Sequence, residues 1–373
     1  MTDDIYCPMI HGGLNINYIH NKGVLGFNHC CLSTAPLVSI EEENIWSNKT
    51  FIPLRQANKD NVWDDGCWEC RQLEASGSSS FRLGMLDKFG KKESLTGPQR
   101  IDLLFDRSCN LACRICGPYS STLWQQQLQQ NNLPTIEINT NSDANNVIDK
   151  LKTLDLSNVE MIQFCGGETL LGNTYWKTAE AIAKLIPDAH KKITLGFQTN
   201  GTQSVDPKYY ELIEKFHLVK FIISIDGIGE RFNYLRWPGD WNQVSDNILQ
   251  LKENLPVNVM FIIQETLCNF NLLYTDEVLQ WVQSNFSTNR LGDITNHSRQ
   301  LAIHDFLSID TITEEYVAAL ANKETLRMLP PDWRENPEKI KTMLRETAIH
   351  DKIRNQDWRR VFPEVAEYYS RYL

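Results

Sequence analysis

Cys109, Cys113 and Cys116 fall within the eight residues Cys109-Asn110-Leu111-Ala112-Cys113-Arg114-Ile115-Cys116. Three thiolates without a fourth can hold a four-iron cluster by three corners and leave one iron open to a substrate or cofactor. A disulfide among these cysteines leaves an odd thiol, and a structural zinc needs a fourth ligand from elsewhere in the chain. A second group lies upstream: Cys7, the adjacent Cys30 and Cys31, and the clip Cys67-Trp68-Glu69-Cys70. The two-residue clip is typical of thiolate metal sites. A β-hairpin over Asn15 to Cys30, turning at Asn21-Lys22-Gly23, brings Cys7 toward Cys30. Neighbouring side chains diverge, so the expected ligands are Cys7, Cys30, Cys67 and Cys70, with Cys31 the alternative to Cys30. A zinc held by four thiolates stays open beside an iron-sulfur cluster. His11, His20 and His29 could replace one cysteine, although histidines in a small polar module are usually exposed.

The elements that must position these residues alternate from residue 100 onward. Apolar runs at Ile101 to Phe105, Met161 to Phe164, Ile193 to Phe197, Val219 to Ile225 and Val257 to Ile263 have the length of buried parallel strands. Amphipathic stretches at Thr174 to Leu185, Lys208 to Lys215, Trp241 to Glu253 and Thr275 to Ser284 separate them as helices. The rhythm predicts a βα barrel or an open doubly wound sheet. Five strands, with a sixth near Leu301 to Phe306, suit a partial barrel better than a closed eight-stranded one. The cysteine triad then leaves the C-terminal end of the first strand, where βα proteins place their active sites. Residues 1–95 read as a small turn-rich module with little apolar content, of the kind a metal or cluster holds together. After residue 310 the chain turns helical: Ile340, Met343, Leu344 and Ala348 share helix spacing, and Pro363 can open a last helix over Phe362 to Arg371.

The chain has 373 residues with 42% hydrophobic and 23% charged content, the balance of an ordinary globular protein. Apolar runs stay well below the roughly 18 residues of a membrane span, and the N-terminal sequence is polar and acidic, so no membrane partner and a cytoplasmic location are expected. A formal charge of -10 argues against broad binding to nucleic acid or anionic lipid. Ten cysteines in such a chain point to metal ligation more than to disulfides. Cys165 and Cys268 stand apart from both groups and read as small buried apolar residues; a thiol hydrogen donor at Cys268 is a minor alternative.

The run Phe105 to Gly117, with its Cys-x3-Cys-x2-Cys spacing, resembles the signature of the radical S-adenosylmethionine (SAM) superfamily. Three further segments match that superfamily in order, each at a strand end: Gly166-Gly167-Glu168, Thr199-Asn200-Gly201 and Ser224-Ile225-Asp226-Gly227. The resemblance covers roughly residues 98–270. It implies a [4Fe-4S] cluster held by Cys109, Cys113 and Cys116, with SAM chelating the fourth iron through its amino and carboxylate groups. An electron then cleaves a carbon-sulfur bond to give a 5′-deoxyadenosyl radical, which abstracts hydrogen from the substrate. Glu168 and the carbonyls around Gly166 and Gly167 suit the SAM ammonium, which a Cβ would obstruct; a tight turn with a solvated glutamate is the plain alternative. Asn200, Ser224 and Asp226 are further SAM-binding candidates. Arg236 is a candidate clamp for the SAM carboxylate, or else a surface arginine. The fifth strand lacks the glycine pattern many relatives use near the adenine, leaving Gln264 as a substitute, and Thr169 stands where a proline commonly follows the glutamate.

The upstream cysteines look like the twitch or SPASM auxiliary cluster domain of such enzymes, placed before the barrel instead of after it. The expected architecture is therefore α/β: an auxiliary [4Fe-4S] module over 1–95, a partial (β/α)6 radical SAM barrel over 96–309, and a C-terminal helical extension over 310–373. Expected partners are a ribosomally made peptide or a small metabolite as substrate, and an external one-electron reductant such as flavodoxin or ferredoxin. Two other classes stay open: an iron-sulfur electron-transfer or binding protein without SAM chemistry, and a radical SAM enzyme acting on RNA.

Overall fold

A computed structural model describes residues 4–19, 24–75, 77, 79–92, 96–135, 144–286, 297–301, 307–308, 311–320 and 333–373. The turn at 21–23, His20 and residues 302–306 of the sixth expected strand lie outside them. Nine strands are described: β1 (Gly13–Ile19), β2 (Val24–Asn28), β3 (Val38–Ser39), β4 (Arg100–Leu104), β5 (Met161–Phe164), β6 (Thr194–Thr199), β7 (Leu218–Ser224), β8 (Val259–Leu267) and β9 (His297–Leu301). The chain forms two compact units.

The first unit comprises residues 1–107, 137–198 and 205–221. Its strands run in the order β3-β2-β1-β4-β5-β6, followed by the start of β7. The hairpin expected over Asn15 to Cys30 is present as antiparallel β1 and β2, and β1 pairs in parallel with β4, as β4 does with β5 and β5 with β6. The register lines up two apolar rows on one face: Leu14, Ile101, Ile162 and Leu195, then Ile16, Leu103, Phe164 and Phe197. All eight are buried, and each contributes about 1.5–3 kcal/mol through apolar burial.

The opposite face carries a polar row in the same register: Asn28, Asn15, Asp102, Gln163 and Gly196. Asn15 Nδ2 donates to Asn28 Oδ1 at 2.8 Å, and Arg100 Nη2 pairs with Asp102 Oδ1 at 2.8 Å. Gly196 makes room for Gln163, since a Cβ there would stand 2.0 Å from Gln163 Oε1. The run Ile101 to Phe105 is thus apolar on one face only, because alternate strand residues point to opposite faces.

The second unit comprises residues 108–136, 199–204 and 222–373. It holds the end of β7, then β8 and β9, the last two paired in parallel from Ile263 opposite His297 to Leu267 opposite Leu301. Ile225 N donates to Gln264 O at 2.9 Å, carrying the β7-β8 contact past the strand end. The expected helices form at Trp241–Asn254, Thr275–Asn285 and, near the C-terminus, Pro337–Arg354. The last of these buries Ile340, Met343, Leu344, Thr347, His350, Asp351 and Arg354. Ala348 is exposed, so the buried stripe follows Thr347 and passes it by. Trp358, Phe362, Val365 and Tyr369 join Tyr234, Leu267, Cys268 and Phe270 in one apolar core.

Candidate functional site

In the second unit the triad lies on the loop between β4 and the helix Thr122–Gln130, whose N-cap Ser121 accepts from Trp124 N. Ser121 Oγ also donates to Leu111 O at 2.6 Å, and Trp124 Nε1 donates to Cys113 O at 2.7 Å, so the helix start holds the loop from one side. The other side is held by the segment after the helix Glu230–Leu235. Ala112 N donates to Trp237 O and Arg114 N to Leu235 O, each at 2.7 Å. Cys116 N closes a turn onto Cys113 O at 3.0 Å.

Two of the sulfurs receive N–H donors. Asn200 Nδ2 points to Cys109 Sγ and Arg236 Nη1 to Cys113 Sγ, each at 3.9 Å. Asn200 is fixed by Asn110 Oδ1 at 3.1 Å and by Thr202 Oγ1, which donates to its Oδ1 at 2.6 Å. Arg236 Nη2 pairs with Asp226 Oδ2 at 2.7 Å, and Thr266 N donates to Asp226 Oδ1 at 2.8 Å. Burial pushes the Asp226 carboxyl up, opposed by Arg236, and pushes the Cys113 thiol up against the same guanidinium; the Cys116 thiol rises to about 12 with burial and Cys113 beside it. Thiols raised in this way ionise when a cation binds them. N–H donors aimed at cysteine sulfur, on the half-buried Cys109 and the buried Cys113, are also an environment that suits iron-sulfur thiolates, so the donor set fits such a cluster.

Of the expected SAM-binding residues, Asn200 and Arg236 thus meet the cysteine loop, and Asp226 pairs with Arg236. Arg236 is buried, not a surface arginine, and its guanidinium is turned onto Asp226. Ser224 ends β7, almost buried. Gly166, Gly167 and Glu168 belong to the first unit. Both glycines have positive φ, +82° and +53°, a conformation that residues with a Cβ rarely adopt. Glu168 is buried, not solvated, and its Oε1 accepts from Leu170 N at 3.0 Å.

The first unit also gathers the upstream cysteines. Cys7, Cys30, Cys67 and Cys70 line one pocket, together with His29, Asn58, Trp63, Glu69 and Arg82. Cys7 caps the helix Pro8–Gly12 and its N–H donates to Asn58 Oδ1 at 3.0 Å. Cys67 closes the short 3-10 turn Asp65–Cys67, and Cys70 follows on the helix Trp68–Ala75, three residues on and therefore on the same side. Arg82 braces the wall: it pairs with Glu74 at 2.5 Å and donates to Tyr6 O at 2.8 Å. Burial pushes Cys7 up to about 11 and Cys67 to about 12, and raises Cys70 as well. Cys31 does not line this pocket, and its thiol is held well up by its hydrogen bond with Cys30, by burial and by Asp102. Among the described residues, no three His, Cys, Asp or Glu side chains are drawn together as ligands of a single metal ion.

His29 and His11 are both buried, against the expectation of exposure. His29 Nε2 stands 3.9 Å from Cys67 Sγ, and His11 Nε2 meets Asn58 Oδ1 at 3.1 Å. Cys268 is fully buried within the apolar core of the second unit, its thiol pushed up to about 12, a setting for a packing residue. Sequence reasoning missed Arg82, Asn58, Arg114 and Asp351. No local motif marks them, because each acts on a partner distant in sequence.

Residues 103–273 match the family model of the Radical SAM superfamily. No curated protein matches the chain. Among solved structures the chain is similar to native anSMEcpe with bound AdoMet, at 16% identity and a TM-score of 0.41, over 69% of this chain and 62% of that one. It is similar to Streptococcus suis SuiB bound to S-adenosylmethionine at 14% identity and a TM-score of 0.35, over 70% and 52%. The same protein bound to precursor peptide SuiA gives 12% identity and a TM-score of 0.39, over 83% and 59%. The chain spans less than two thirds of the length of each. The matched stretch, residues 103–273, includes the cysteine triad, Asn200, Asp226 and Arg236, and the match supports an enzyme.

Proposed function

We propose that the chain reductively cleaves SAM at a [4Fe-4S] cluster held by Cys109, Cys113 and Cys116. The observation that carries this reading is the family match over the triad, joined to the N–H donors of Asn200 and Arg236 on two of its sulfurs. When bound, the cluster and SAM supply a 5′-deoxyadenosyl radical that abstracts hydrogen from the substrate. The chain's own residues orient and enclose. The Gly166-Gly167 turn and Glu168 are assigned to the SAM ammonium, Ser224 to its ribose or carboxylate, and the buried loop around Cys113 to excluding water.

Cys7, Cys30, Cys67 and Cys70 are assigned to an auxiliary [4Fe-4S] cluster, supported by their shared pocket. The functional division is then an auxiliary module over 1–95, a partial (β/α)6 barrel over 96–309 and a helical extension over 310–373. Auxiliary clusters in this superfamily are frequent among peptide-modifying enzymes, so a ribosomally made peptide is the proposed substrate, with a small metabolite the alternative. Flavodoxin or ferredoxin supplies the electron, in the cytoplasm; among the described residues no helix is long and apolar enough to cross a membrane.

The test is anaerobic reconstitution, iron analysis and incubation with SAM and dithionite. Release of methionine and 5′-deoxyadenosine, lost in the Cys109→Ala, Cys113→Ala, Cys116→Ala triple variant, is expected. Intact SAM in the presence of a reduced cluster would overturn the reading and leave an electron-transfer protein.

A further inference from the structure

The backbone bonds Ala112 N to Trp237 O and Arg114 N to Leu235 O flank Cys113 on one strand of chain and Arg236 on the other. This two-bond clamp places Cys113 opposite Arg236, and the Arg236 Nη1 to Cys113 Sγ contact at 3.9 Å runs between them. Asp226 holds the far side of the guanidinium through Nη2 at 2.7 Å, and is itself fixed by Thr266 N at 2.8 Å. Arg236 is 6% exposed and Asp226 0% exposed, so both charges are spent inside the protein. A guanidinium committed to a buried carboxylate and a thiol is poorly placed to clamp a ligand carboxylate, but it is well placed to lower the energy of added negative charge on the sulfur.

We propose that Arg236, oriented by Asp226, is a positioning residue that tunes the cluster at the triad by hydrogen bonding to the Cys113 sulfur, raising its reduction potential. This rests on the reading of the triad given above. A donor to a cluster sulfur stabilises the more negative, reduced state, and such outer contacts set cluster potentials.

The experiment is a redox titration of the reconstituted protein without SAM, followed by electron paramagnetic resonance, with iron per chain measured alongside. The variants are Arg236→Gln, Arg236→Lys and Asp226→Asn, each built on a Cys7→Ala, Cys67→Ala background so that only the triad cluster is read. Arg236→Gln is expected to cut the reduced-to-oxidised ratio at fixed potential about tenfold, a downward shift of about 59 mV for one electron. Arg236→Lys, which keeps a charged donor, recovers part of the shift, and Asp226→Asn shifts the potential the same way by less. Variants with background iron content and background potential would overturn the proposal. So would loss of the cluster in all three, which marks Arg236 as a purely structural brace. A background protein that assembles no cluster at all fails the reading of the triad itself, and is recognised before any variant is compared.

Discussion

Arg114, which sits between two cysteines of the triad, donates to Asp351 Oδ1 at 2.5 Å across 237 residues of sequence. The same carboxylate oxygen accepts from Tyr234 OH at 2.8 Å, and the Arg114 guanidinium stacks 3.8 Å from the centre of the Tyr234 ring. Asp351 Oδ2 accepts from Trp358 N at 2.9 Å, which ties the network to the start of the next helix. The loop of the triad is therefore anchored by the helix Pro337–Arg354, and the C-terminal segment is part of the site's architecture.

Removing one member of this buried pair strands the other. Asp351→Ala is expected to lower the unfolding free energy by about 3–5 kcal/mol, measured by urea denaturation. The Arg114→Met, Asp351→Leu double variant should cost clearly less than the sum of the single changes, because the pair couples. Additive losses would mean that the two side chains do not act together.

The upstream pocket separates two adjacent cysteines. Cys30→Ser is expected to reduce iron per chain after reconstitution, whereas Cys31→Ser, at a residue that does not line the pocket, should leave iron at the parent level. Equal losses from the two variants would contradict the assignment of Cys30. Zinc taken up in place of iron, by metal analysis of protein purified without air, would contradict the cluster.

The polar row in the first unit makes a packing prediction. Gly196→Ala drives a methyl into Gln163 and should cost about 1–3 kcal/mol, as over-packing does. Adding Gln163→Ala opens the space again and should recover much of that loss. A Gly196→Ala protein with the parent's denaturation midpoint would show that Gln163 moves aside freely.

Two buried histidines set an acid limit on stability. Burial lowers His29 to about 4, helped by Arg55, and lowers His350 to about 4, helped by Arg354 and Arg114. Between the unfolded value near 6.5 and about 4, the unfolded chain binds protons that the folded chain refuses, so stability falls as pH drops through this window. Above pH 6.5 the penalty is absent; below about 4 it is complete, at about 3 kcal/mol for each histidine. Urea midpoints from pH 7.5 to 4.5 should fall more steeply in the parent than in His350→Gln. Parallel curves would remove His350 from the account.

The sequence alone carried the spacing of the candidate ligands and the local elements. The spacing of Cys109, Cys113 and Cys116 is a local property, and so is the helix over Thr174–Leu185, which the structure reproduces residue for residue. Strand positions were legible because buried runs of β-branched and aromatic residues leave few other conformations. What only the tertiary structure decided is where polar groups go once buried. Asp102 lies inside a run that reads as apolar, and becomes intelligible only when strand register lines it up with Asn15 and Gln163 and Arg100 pairs with it. Arg236 reads as a ligand clamp until backbone pairing sets it opposite Cys113. Asp351 has no motif at all, because its partner lies more than two hundred residues away. Buried charges must find partners through space, and neither composition nor periodicity records which distant residue supplies them.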